Sequence, residues 1–129
     1  MSNNQHHILL VEDEPSLTTL YRTILEKHFQ LDIVSDFTAA KTYLSSHQPE
    51  LILLDLIIPF AQGQAPNFSQ RLGVDLLKLK EINNIPVIVF TNLDDEQDKT
   101  ETKKLGAKEY IVKANILPAQ LVEKISSML

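Results

Sequence analysis

Cysteine is absent from this chain of 129 residues. A disulfide framework, a thiolate zinc site and a cysteine nucleophile are therefore all excluded. Glycine is scarce, three in all. Neither a GxxxxGK[ST] nor a GxGxxG run occurs, so a cradle for nucleotide phosphates is not expected. Also missing is any apolar stretch near the roughly 20 residues of a membrane span. The opening "MSNNQHH" lacks the basic-then-apolar layout of a secretory leader. No membrane contact is expected, and the cytoplasm is the expected compartment. Positive charge is in deficit: 12 Lys and Arg stand against 17 Asp and Glu, for a net charge of -5. A binder of nucleic-acid backbones needs a basic face, so direct nucleic-acid binding is not expected.

What is present is the composition of a soluble globular protein, 43% hydrophobic and 22% charged. The length suits one compact domain with a real core. One domain over residues 1–129 is expected, with no output domain.

Apolar patterning divides the chain into alternating strands and helices. "HHILLVED" reads as a short buried strand with an abrupt acidic end at Glu12 and Asp13. In "PSLTTLYRTILEKHF", Leu17, Leu20, Tyr21, Ile24 and Phe29 fall near one helical face, and Pro15 suits a first turn. "LDIVSD" is a second strand, and "TAAKTYLSSH" a short helix carrying Ala40, Tyr43 and Leu44. "ELILLDL" is a third strand whose continuous apolar run fits a parallel strand covered on both faces. "GVDLLKLKEI" is a helix with Val74, Leu77 and Ile82 spaced for burial, and "IPVIVFTN" is a fourth strand. "DDEQDKTETKKL" is helical by propensity but nearly devoid of apolar anchors, which predicts weak docking and easy local motion. Gly106 ends it. "KEYIVK" is the fifth strand, and "ILPAQLVEKISSML" the last helix, with Leu117, Leu121, Ile125 and Leu129 one turn apart. Such alternation implies an α/β fold with a parallel sheet and helices on both faces. Residues 60–72, "FAQGQAPNFSQRL", break the rhythm, because strand-to-helix loops usually take about 2–6 residues.

In a doubly wound sheet, functional groups collect beyond the C-terminal ends of the strands. Those ends carry Glu12 and Asp13, Asp55, Thr91 and Lys113. Three acids on one rim repel unless a cation intervenes. Mg²⁺ takes oxygen ligands and is held by one or two carboxylates plus a phosphate. The pattern therefore suggests a Mg²⁺ site completed by a phosphoryl group, with Lys113 and Thr91 facing its oxygens. Without a nucleotide cradle the phosphoryl group would be covalently attached, and Asp55 is the candidate nucleophile. Each residue has a plainer reading when taken singly. Asp55 could be a solvated strand-end acid, and Glu12 and Asp13 helix-start acids. Thr91 and Lys113 could be structural, and Tyr110 a packing aromatic. His6, His7, His28 and His47 show no metal-ligand spacing and read as surface or boundary residues.

The segments "LLVEDEP", "LILLDLIIP", "GVDLL", "VIVFTN" and "LGAKEYIVKAN", in this order, resemble a response-regulator receiver domain of two-component signalling. The resemblance runs from Ile8 to Leu129. It implies a flavodoxin-like, doubly wound five-stranded parallel sheet of order 2-1-3-4-5 with five helices. It makes Asp55 the phosphoacceptor, and Thr91 and Lys113 its catalytic partners. Mg²⁺ would be held by Asp13, Asp55 and the Ile57 carbonyl, with Glu12 acting indirectly. Thr91 and Tyr110 would be the switch residues. The implied partners are a sensor histidine kinase or histidine phosphotransfer protein and a downstream protein target. The fourth helix, fifth strand and last helix would form the signalling face, also available for homodimerisation on activation. The domain would be a signalling module, not an enzyme, although it assists its own phosphorylation and dephosphorylation.

Three departures from the family pattern stand out. Ala114 replaces the usual proline after the lysine, so a trans bond or an altered loop is expected there. Asn92 stands where a small residue is usual and would narrow access to the phosphoryl group. The family's next glycine falls at Gly73, which implies an insertion of about ten residues. Two alternatives stay open: a receiver-like interaction module that needs no phosphorylation, and a Mg²⁺ phosphatase with an aspartyl nucleophile. The second lacks its general acid, because Ile57 stands where a further aspartate would be needed.

Overall fold

A computed structural model describes residues 5–129. Residues 1–4, which open the segment read as lacking a leader, lie outside the described residues. The strands are β1 (His7–Val11), β2 (Gln30–Val34), β3 (Leu51–Leu54), β4 (Val87–Thr91) and β5 (Glu109–Val112). The helices are α1 (Pro15–Leu25), α2 (Phe37–Leu44), α3 (Leu72–Leu77), α4 (Glu96–Lys104) and α5 (Pro118–Ser127). All strand pairs are parallel, in the order β2-β1-β3-β4-β5 expected for the doubly wound α/β class.

Alternation along the three central strands feeds two separate cores. Leu9, Val11, Ile52, Leu54, Val87 and Val89 pack with Ala40 and Leu44 of α2 and Val74, Leu76 and Leu77 of α3. Ile8, Leu10, Leu51, Leu53, Ile88 and Phe90 pack on the other face with Tyr21 and Leu25 of α1 and Leu121 and Ile125 of α5. Each strand is apolar on both faces because helices cover both. Register then fixes the rim. Val11 lies opposite Leu54, and Leu54 opposite Val89. The residues that follow β1 and β3 therefore emerge at one level.

Helix ends follow local chemistry. Glu14 caps α1 by accepting the Ser16 N–H at 3.0 Å, with Pro15 at the first helical position. Asp36 caps α2 through Ala39 N–H at 2.7 Å. Asp95 caps α4 through Asp98 N–H at 2.9 Å. α4 closes in a Schellman turn: Gly106 N–H reaches Lys103 O and Ala107 N–H reaches Thr102 O, both at 3.0 Å. Gly106 has φ +104°, which a side chain would strain.

The structure corrects several expectations of detail. Leu20 is 46% exposed, and Leu25 takes the core position on α1. Phe29 is buried but lies beyond the end of that helix. α3 is only six residues long: Leu79 adopts extended backbone, and a turn of 3₁₀ helix at Lys80–Ile82 brings Ile82 to the core. On α5, Leu121 and Ile125 are buried, whereas Leu117 and Leu129 are 66% and 37% exposed. Leu117 stands outside the first turn, where Gln120 accepts its N–H. α4 buries only Asp98 and Thr102 of its own residues, so its attachment is polar. No helix of the described residues is long and apolar enough to cross a membrane.

At the far edge of the sheet, Asp32 accepts hydrogen bonds from Tyr43 Oη at 2.7 Å and His7 Nε2 at 2.8 Å. Burial pushes its carboxyl up, but the bonds from Tyr43 and His7 outweigh this and hold it below the ordinary 3.8. A carboxyl depressed on folding contributes stability above its unfolded pKa, and that contribution is lost as pH falls through the folded value. Asp32→Asn should therefore lower the thermal midpoint at neutral pH but flatten its decline below about pH 4. Parallel midpoint curves for the two proteins would show that Asp32 is not linked to folding.

Candidate functional site

The sequence candidates Glu12, Asp13, Asp55, Ile57, Thr91 and Lys113 line one cleft at the C-terminal rim of the sheet. β1 delivers the acidic pair, since Glu12 continues the strand by donating its N–H to Val34 O at 3.0 Å. β3 delivers Asp55, whose N–H bonds to Val11 O at 3.1 Å. Thr91 is the last residue of β4, and Lys113 directly follows β5. At the altered position, Lys113–Asn115 form a 3₁₀ turn, and every peptide bond among the described residues is trans.

Lys113 nevertheless reaches the rim. Its ammonium, nearly buried, lies 2.9 Å from Asp55 Oδ2 and also hydrogen-bonds Glu12 Oε1. It also sits 5.6 Å from the Phe90 ring centroid. Asp55 Oδ1 accepts the Ile57 N–H at 3.2 Å. One carboxylate oxygen from each of Glu12, Asp13 and Asp55 lies within 4.8 Å of the others. Such a donor set, all hard oxygen and partly open to the cleft, fits a Mg²⁺-like ion.

The electrostatics follow from crowding. Burial raises the Glu12 carboxyl above its usual range and Asp55 adds to this, against the pull of Lys113. Asp13 is likewise raised by burial and then by Asp55. Burial works to lower the Lys113 ammonium, but Asp55 and Glu12 outweigh it, so the charge is held firmly. A cation added beside Asp13 would relieve the remaining carboxylate repulsion.

Tyr110 is not part of the cleft lining. Its hydroxyl donates to Leu93 O at 2.7 Å, which ties it to the loop after β4. Burial, with Asp98 and Asp95 adding to it, raises its phenol pKa. The Thr91 hydroxyl accepts the Leu93 N–H at 3.4 Å. Leu93 thus joins the two residues implicated as a switch. Sequence reasoning gave Glu12 an indirect metal role and missed its pairing with Lys113. It also missed Leu17, Pro66, Phe68 and Leu93 as cleft residues. The unusual length of residues 60–72 was the available signal for Pro66 and Phe68.

Gly73 sets the position of Asp55 from behind. A Cβ there would lie 2.4 Å from Asp55 O and 2.7 Å from Leu56 Cα. These are backbone atoms and cannot rotate aside. Gly73→Ala would gain about 0.5–1 kcal/mol of helix preference but incur roughly 1–3 kcal/mol of overpacking. The expected result is a lower denaturation midpoint with the Asp55 environment displaced, seen as shifted amide resonances near residue 55. A variant of equal or greater stability would contradict so close an approach.

Comparison with known proteins follows the same lines. A family model described as "Response regulator receiver domain" matches residues 8–126. The phosphate regulon transcriptional regulatory protein PhoB of Klebsiella pneumoniae is 32% identical over 124 residues, covering 95% of this chain and 51% of that protein. The chain spans about half the length of the curated relatives it matches. Among solved structures, the BeF3-activated N-terminal receiver domain of Klebsiella pneumoniae RstA superposes with a TM-score of 0.76 at 26% identity, covering 94% of this chain and 96% of that one. The receiver domain of sensor histidine kinase PA1611 from Pseudomonas aeruginosa, solved with a magnesium ion in its active site cleft, gives 0.75 at 21% identity, covering 96% and 97%. The latter likeness is one of fold.

Proposed function

Because this chain belongs to the response regulator receiver domain family, a module of two-component signalling, we propose that Asp55 is its phosphoacceptor. The observation that carries this is the convergence on Lys113. A buried ammonium bridges Glu12 and Asp55 beside Asp13 and Thr91, in a cleft open to a donor. Asp13, Asp55 and the Ile57 carbonyl would hold Mg²⁺, with Glu12 supporting indirectly. The bound ion would offset charge on the carboxylates and on the incoming phosphoryl oxygens.

An Asp55 carboxylate oxygen attacks the phosphorus of a phosphohistidine. A P–O bond forms, the P–N bond breaks, and the bonding pair leaves with the imidazole. In dephosphorylation a water oxygen attacks the same phosphorus. The acyl P–O bond breaks with its electron pair returning to the Asp55 carboxylate, and inorganic phosphate departs. Positioning and charge stabilisation supply the acceleration. Lys113 shifts from the bare carboxylate to a phosphoryl oxygen, and the Thr91 hydroxyl donates to another. Leu93 then moves with Thr91 and carries the change to Tyr110 and the face formed by α4, β5 and α5.

The protein acts in the cytoplasm; the donor is a sensor histidine kinase or histidine phosphotransfer protein, and the reader is a downstream protein, or a second copy bound through that face. The module turns over no substrate of its own beyond its phosphoryl group, and it recognises no nucleic acid directly.

Intact mass after treatment with acetyl phosphate and Mg²⁺ tests the assignment. One added phosphoryl group is expected; it should not form when a chelator is present from the start, and it should be absent from Asp55→Asn. Labelling that survives in Asp55→Asn would move the acceptor elsewhere. No labelling at all would favour an interaction module that works without phosphorylation.

A further inference from the structure

Residues 60–72 are pinned at both ends. At the entry, Phe60 O accepts from Thr38 N at 3.0 Å and from Thr38 Oγ1 at 2.7 Å, and the Phe60 ring stacks on Phe37 at 5.7 Å. In the middle, Asn67 Oδ1 accepts from Ser69 N at 2.9 Å and Ser69 Oγ at 2.6 Å, while Pro66 and the largely exposed Phe68 line the same cleft as Asp55. At the exit, Arg71 points two ways. One terminal nitrogen donates to Phe68 O at 2.6 Å, and Nε donates to Asp98 Oδ2 at 3.1 Å.

Asp98 belongs to α4 and is 7% exposed. A carboxylate that deep needs a compensating cation, and the planar guanidinium of Arg71 supplies one with fixed geometry. α4 offers few apolar anchors of its own, so this ion pair is a substantial part of its attachment. The same side chain fixes the carbonyl of a residue in the cleft wall. The wall and the helix are therefore held by one group.

We propose that Arg71 is a positioning residue: it sets the wall of the phosphoryl cleft and ties that wall to α4, so access to Asp55 and the docking of α4 depend on one ion pair. This rests on Asp55 as the phosphoacceptor. Coupling of this kind is reciprocal. A partner that repacks α4 loosens the wall, and a group that displaces the wall loosens α4.

The test compares Arg71→Ala, Arg71→Lys, Asp98→Asn and Phe68→Ala with the parent chain. Hydrogen exchange on the unphosphorylated proteins should rise across residues 96–104 in Arg71→Ala and Asp98→Asn, and stay at the parent level in Phe68→Ala. The aspartyl phosphate formed with acetyl phosphate and Mg²⁺ should decay roughly tenfold faster in Arg71→Ala, the scale of one lost charge-assisted hydrogen bond. Phe68→Ala should decay faster too, because water reaches the site. Arg71→Lys should recover part of the α4 protection, and the Arg71→Ala, Asp98→Asn double variant should be no worse than Arg71→Ala alone. Unchanged exchange in α4, an unchanged lifetime in Phe68→Ala, or additive effects in the double variant would each overturn the proposal. Failure of the parent chain to label at Asp55 would sink the phosphoacceptor reading and with it the wall's role. The exchange measurement would still decide whether Arg71 holds α4.

Discussion

An ammonium buried between two carboxylates is the constraint on which this molecule turns. Lys113 lies 2.9 Å from Asp55 and also bonds Glu12, with almost none of its side chain in water. Burying such charges is expensive, and removing one partner of a buried pair typically costs about 3–5 kcal/mol. The arrangement persists because three strands deliver the groups without freedom to retreat. It is also unbalanced. With Asp13 added, three carboxylates face one ammonium when all are ionised, and a dianionic phosphoryl group could enter only with a further cation.

The sheet provides the rigidity this demands. β1, β3 and β4 are buried on both faces, so their C-terminal ends are fixed by two cores at once. Gly73 adds a contact from behind, where the start of α3 presses on the Asp55 backbone closely enough to exclude a methyl group. On the other side the molecule is held more lightly. α4 buries an aspartate and a threonine where α1 and α5 bury leucine, isoleucine and tyrosine. Polar anchoring is specific in geometry and weak in depth, which leaves α4 displaceable by a modest input of free energy. The segment from 60 to 72 spans the divide, seated on α2 at one end and on α4 at the other.

Much of this was legible beforehand, and the reasons are local. Strands announce themselves by short apolar runs, helices by their spacing, and two of the ends by Pro15 and Gly106. The rim acids, Thr91 and Lys113 could be aligned because parallel α/β folds gather strand ends on one side. Errors arose where neighbours outside the segment decided. Leu20 fits the helical face of α1 as well as Leu25 does, yet the sheet surface takes Leu25. Leu117 and Leu129 keep the spacing of α5 but overhang its ends. The α3 pattern continues past Leu77, but the backbone turns extended at Leu79 before the core is reached again.

The sequence alone determined the order of elements, the two-faced burial of the central strands and the inventory of charged groups at their ends, since each depends on residues within a turn or a strand of one another. Tertiary structure alone decided that Glu12 pairs with Lys113, 101 positions away. It alone set Arg71 between Phe68 and Asp98, and Gly73 against the Asp55 carbonyl. Those contacts depend on strand register and on how deeply each helix seats, and both are set by the packing of the whole chain at once.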